Sequence, residues 1–123
     1  MEYSYIGIDH VQLAAPAGSE MEARTFFGKI LGMQEITKPL NLAKRGGVWF
    51  TCGKHQLHIG IQKDFSPALK AHPAFHINNL AALHDHLIKN GIVVKKEEPL
   101  EGAIRFFVDD PFGNRIEFIE WLK

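Results

Sequence analysis

With 123 residues, 46% of them apolar, the chain has enough core for one domain over 1–123 but little to spare. Lysine plus arginine and aspartate plus glutamate both number 14, so no global field draws in nucleic acid or an anionic membrane. A single cysteine, Cys52, excludes an internal disulfide and suits a reducing compartment. No segment approaches the ~20 apolar residues that span a bilayer. The opening "MEYSYIGIDHVQLAAP" lacks the basic start of a signal peptide, so a cytoplasmic protein is expected. Seven histidines are the compositional oddity.

In chain order, a first strand over about 5–14 leads into "SEMEARTFFGKILG". Ser19 with Glu22 reads as a capping box and Gly32 as a stop, and Ala23, Phe26, Phe27, Ile30 and Leu31 form one helical stripe. Strands are expected at about 33–38, 47–52 and 55–61, with "KRGG" at 44–47 as a hairpin turn. After the loop "QKDFSPALK" the order restarts. "HPAFHIN" is a strand, and "NLAALHDHLIKNG" is a helix with Leu80, Leu83, His84, Leu87 and Ile88 as its stripe and Gly91 as its stop. Strands at about 92–97, 103–109 and 114–122 complete it. The order thus repeats at an offset of about sixty residues, a duplicated βαβββ unit. Module 1 covers about 1–62 and module 2 about 72–123.

Strand side chains alternate between faces, so the polar residues sort themselves. His10 and Gln12 oppose Val11 and Leu13, and Gln56 and His58 oppose Leu57, Ile59 and Ile61. His72 and His76 oppose Phe75 and Ile77, and Glu117 opposes Ile116 and Phe118. The equivalent positions of the two modules are His10 with His72 and His58 with Glu117. An unpaired carboxylate in the middle of an apolar strand is costly, which a cation would explain. If the sheets curl, the four groups converge. Three imidazoles and a carboxylate suit one divalent ion per site: nickel, zinc, cobalt, iron(II) or manganese. His76 shares the face as a ligand, a proton shuttle or a pocket wall, and Gln12 and Gln56 are candidate substrate contacts. The remaining histidines have structural readings: His55 in a turn, His84 in the helix stripe and His86 in solvent. Cys52 reads as a small hydrophobe, and the large aromatics, including Trp49 and Phe107, as core or interface.

These residues together resemble the vicinal oxygen chelate superfamily (glyoxalase, bleomycin resistance and dioxygenase proteins). "IDHVQLAAP", "ARTFFGKILGMQ", "HPAFHI" and above all "VDDPFGNRIEFIE" carry the likeness across essentially the whole chain. The resemblance implies an α+β fold, two βαβββ modules forming a cupped, mixed eight-stranded sheet with helices on the outer face. It aligns His10, His72 and Glu117 with metal ligands and places His58 where glyoxalase I has a fourth. It also implies a homodimer, in the glyoxalase branch with each metal site drawing on both subunits. Two open coordination positions would chelate adjacent oxygens of a small-molecule substrate, with Glu117 or His76 as base and Arg105 for an anionic group. Ala14 stands where bacterial glyoxalase I has an arginine, and Gln12 where fosfomycin-modifying transferases have a threonine. The expectation is therefore a metal-dependent lyase, isomerase or thiol transferase of the family. The alternatives are a metal-free drug-binding dimer of the bleomycin-resistance type and an iron(II) ring-cleaving dioxygenase.

Overall fold

A computed structural model of the chain describes residues 2–123; Met1 lies outside them. Two compact units divide it, Met1–Phe65 and Ser66–Lys123. The first holds β1 (His10–Ala15), α1 (Glu20–Ala23) running into a π-helix (Arg24–Ile30), β2 (Glu35–Ile36), a 3-10 helix (Leu40–Arg45), β3 (Val48–Cys52) and β4 (His55–Ile61). The second holds β5 (Ala74–His76), α2 (Leu80–Lys89), β6 (Ala103–Asp109) and β7 (Arg115–Trp121).

Both units follow one plan. Their sheets run β1-β4-β3-β2 and β5-β7-β6, and in each the first strand pairs parallel with the last across the helical segment. The remaining pairings are antiparallel. In the first unit Ala15, Ala23, Phe26, Phe27, Val48, Phe50, Leu57 and Ile59 are buried. In the second, Phe75, Leu80, Leu87, Phe106, Val108, Ile116 and Phe118 are. Alternation thus puts the apolar residues of each strand on one face, as the sequence pattern requires.

The α+β class and the modular order hold, but the strands number seven, in sheets of four and three, rather than eight. The strand expected at about 92–97 shrinks to a single bridge, Lys95 to Phe107. Side chains have taken its place: Arg105 Nη2 donates to Glu98 O at 2.7 Å and Arg115 Nη2 lies 3.6 Å from Glu97 Oε1. The first strand starts at His10 rather than near residue 5, because β4 begins at His55 and its register sets His10 against Gln56. Earlier residues have no partner strand. β5 starts at Ala74, after Pro73, which has no N–H to donate to a ladder.

Two local expectations also change. No side-chain hydrogen bond caps α1, and the buried Ser19 Oγ has no partner; Glu20 instead accepts from Gly47 N at 2.8 Å. The "KRGG" stretch is not a hairpin turn but the end of the 3-10 helix followed by two glycines at φ 73° and 87°. The second helix ends as expected. Gly91 at φ 77° follows Asn90, and the Gly91 and Ile92 N–H groups donate back to Ile88 O and Leu87 O, a Schellman closure.

Candidate metal centre

In the first unit, parallel register sets His10 against Gln56 and Gln12 against His58, while β3 sets Trp49 against His58. The His58 ring is buried, 4% exposed, between Trp49 (3.7 Å, 2°) and His10 (4.1 Å, 18°). Its Nε2 lies 2.9 Å from Gln56 Oε1 and donates to it, which leaves Nδ1 as the acceptor nitrogen. Burial, and then the neighbouring His10, hold the His58 pKa below its ordinary value. The outer ring of the stack orients differently. His10 Nδ1 sits 2.9 Å from Asp9 Oδ2, a group that only accepts, so Nδ1 carries the proton and Nε2 keeps its lone pair. Gln12 lies across Gly60, where a Cβ would come within 2.8 Å of its Cδ. His10, Gln12, Gln56 and His58 therefore share the face that alternation assigned them.

In the second unit the aim of β7 is set by the turn before it. Asp110 Oδ1 accepts from Phe112 N and Asn114 N at 2.9 and 2.8 Å, and Oδ2 accepts from Asn114 Nδ2 at 2.8 Å. Burial pushes the Asp110 carboxyl pKa up, and these hydrogen bonds oppose the rise. The turn starts β7 so that Glu117 pairs with Phe107 and Ala74, on the face away from Phe118. Glu117 is 5% exposed. Its Oε1 lies 2.9 Å from His72 Nε2 and its Oε2 lies 3.5 Å from Arg105 Nη1.

His72 repeats the logic of His10. Its Nδ1 is 2.8 Å from the Lys70 carbonyl, which only accepts, so Nδ1 donates and Nε2 turns its lone pair on the carboxylate. Two acceptors 2.9 Å apart repel unless a proton or a cation lies with them. That donor set fits a divalent metal. An imidazole with its other nitrogen tied to an oxygen, beside a carboxylate, is how proteins present metal ligands. Among the described residues, no three His, Cys, Asp or Glu side chains gather in the chain as a metal-holding group. The four predicted ligands stand as two pairs, His10 with His58 and His72 with Glu117.

Arg105 is where the sequence placed it, beside Glu117, with its Nε buried and without a partner. His76 is exposed and in register with Ile119, and its charge bears on Glu120. No hydrogen bond described here joins it to Glu117. Several contributors escaped the sequence reading. Trp49 covers His58 rather than filling the core, and Phe107 lies on the Glu117 face under Arg105 and Arg115, 5.4 and 4.2 Å from its ring centre. Asp9 and Lys70 orient the two imidazoles. The Asp9–His10 dipeptide was a readable signal; a backbone carbonyl such as that of Lys70 leaves none.

Residues 7–118 match the Glyoxalase/Bleomycin resistance protein/Dioxygenase superfamily. The chain belongs to that superfamily. No curated protein matches this superfamily member. It is 52% identical to a crystal structure from Bacillus anthracis described as of the glyoxalase family, over 98% of this chain and 99% of that one, with TM-score 0.95. A glyoxalase/dioxygenase from Nostoc punctiforme is 21% identical over 96% of this chain and 92% of that one, with TM-score 0.77. A lactoylglutathione lyase from Agrobacterium tumefaciens is 19% identical over 96% of each chain, with TM-score 0.75. At these last two identities the likeness is one of fold. No described helix is long and apolar enough to cross a membrane.

Proposed function

We propose that this superfamily member is a metal-dependent enzyme that binds adjacent oxygens of a small polar substrate and moves a proton or a thiol. The reading rests on one observation, the lone pair of His72 Nε2 facing Glu117 Oε1 at 2.9 Å. His10 and His72 would hold the ion through Nε2, Glu117 through Oε1, and His58 through Nδ1, since its Nε2 serves Gln56. A divalent ion at such ligands supplies Lewis acidity that stabilises negative charge developing on a substrate oxygen.

The chain's own groups would do the rest. Glu117 is the base, and it takes the proton at Oε2 because Oε1 faces His72. Burial keeps water from competing for that oxygen. Arg105 receives an anionic substrate group: Nη2 is anchored on Glu98 O, Nη1 reaches Glu117 only at 3.5 Å, and Nε lacks an acceptor. Gln12 and Gln56 line the His10 face as amide contacts to a polar substrate. The working unit is a homodimer. Five exposed apolar groups, Tyr3, Tyr5, Ile6, Ile8 and Met21, lie in the first unit and suit cover by a second copy.

Metal analysis tests the reading. Purified under metal-replete conditions, wild type should carry one ion per chain, and His72→Ala and Glu117→Gln should lose it. No metal in wild type would replace the enzyme by a metal-free small-molecule binder. Turnover of hemithioacetals, of fosfomycin with thiols and of catechols, compared in one screen, then separates isomerase, transferase and dioxygenase chemistry.

A further inference from the structure

Arg115 touches neither Glu117 nor any other predicted ligand through a charge pair, yet its contacts all converge behind His72. Nη1 donates to Lys70 O at 3.2 Å, the same carbonyl that accepts from His72 Nδ1 at 2.8 Å, and lies 3.3 Å from Nδ1 itself. Nη2 is 3.6 Å from Glu97 Oε1, and the guanidinium lies 4.2 Å over the Phe107 ring, whose edge meets His72 at 5.0 Å. The planar fork is thus fixed at both ends and on one face.

We propose that Arg115 is a positioning residue that holds the Lys70 carbonyl in place and thereby locks His72 with its proton on Nδ1 and its Nε2 lone pair toward Glu117. The carbonyl has two lone pairs and serves two donors. Without Arg115 nothing described holds Lys70 O, which lies in a segment outside any helix or strand. The ring could then turn over or exchange its proton between nitrogens. A guanidinium beside Nδ1 also disfavours any arrangement that needs Nδ1 to accept from a third group, because Arg115 already shares its donor with the carbonyl. Lysine cannot replace it, since one ammonium on a flexible stem cannot serve Lys70 O and Glu97 while stacking on Phe107.

This inference rests on the reading of His72 as a ligand, and nitrogen NMR separates the two. In 15N-histidine-labelled, metal-free protein, His72 Nδ1 should keep its proton across roughly pH 6–9 in wild type, the range over which imidazoles titrate. Arg115→Gln and Arg115→Lys should both show Nδ1 deprotonated in part of the population, and both should bind zinc or nickel roughly 10- to 100-fold more weakly, as loss of an orienting partner does. Wild type with its proton on Nε2 overturns the proposal without recourse to any variant. So do variants that keep the wild-type nitrogen signals and metal affinity. Wild type that keeps the Nδ1 proton but binds no metal supports the clamp while removing the metal reading.

Discussion

At Gly47 the backbone has φ 87°, and an added Cβ would run into the Ile59 carbonyl of β4. Gly53, in the turn between β3 and β4, has φ 58° and open space around the position of a Cβ. The two sites separate conformational strain from collision. Gly53→Ala should cost about 1 kcal/mol, and Gly47→Ala about 2 kcal/mol or more, in urea unfolding. Equal costs would mean that the Ile59 contact does not matter. Gly60→Ala belongs to the site instead: its Cβ would displace the flexible end of Gln12, so stability should hold while substrate affinity changes. Single residues of the candidate centre were legible, because period-two alternation separates His10, His58 and Glu117 from their apolar neighbours. Their partners were not. The Lys70 carbonyl and the stack on Trp49 arise from residues distant in sequence, and no local pattern encodes which nitrogen of an imidazole keeps its proton.

Among the elements, the start of α1 shows a sequence signature without its bond. Ser19 and Glu22 have the spacing of a capping box, but Ser19 Oγ is buried with no partner and the Glu20 carboxylate is used elsewhere. Ser19→Ala should therefore be neutral or stabilising by up to about 1 kcal/mol, where loss of a true cap would destabilise by about that much; thermal denaturation distinguishes the signs. Carboxylates from other elements do the work of tying segments together. Glu20 accepts from Gly47 N, and Glu120 of β7 accepts from Leu80 N and Asn79 N at the start of α2. Those backbone hydrogen bonds are the main cause that lowers both pKa values below the ordinary 4.5. The unfolded chain then binds protons first on acidification. The stabilisation is complete above about 4.5 and is lost as the pH falls through the lowered folded values. Glu20→Gln and Glu120→Gln should each flatten the fall of Tm below that pH, and unchanged slopes would show that these bonds carry no stability.

For the molecule as a whole, the two units repeat one plan, and each presents two of the four predicted ligands. On the proposed reading, in which a centre draws one pair from each of two copies, defects in different units complement. Neither His10→Ala nor His72→Ala alone should retain metal. Unfolded together and refolded, they should recover about one quarter of the wild-type metal, because half of the random dimers are mixed and each mixed dimer has one intact centre. Recovery of none would place both pairs of a centre on one chain. The duplicated order, the α+β class, the helix stripes and the face that holds each candidate ligand were set by the sequence alone, because hydrophobic period and turn residues are local properties. Tertiary structure decided the rest. It reduced the expected strand at about 92–97 to one bridge, since Arg105 and Arg115 hold that segment by side chains, and it sent Glu117 to His72 and Arg105. Those outcomes depend on which distant donors and acceptors can reach one another, and only the folded chain brings them within hydrogen-bond range.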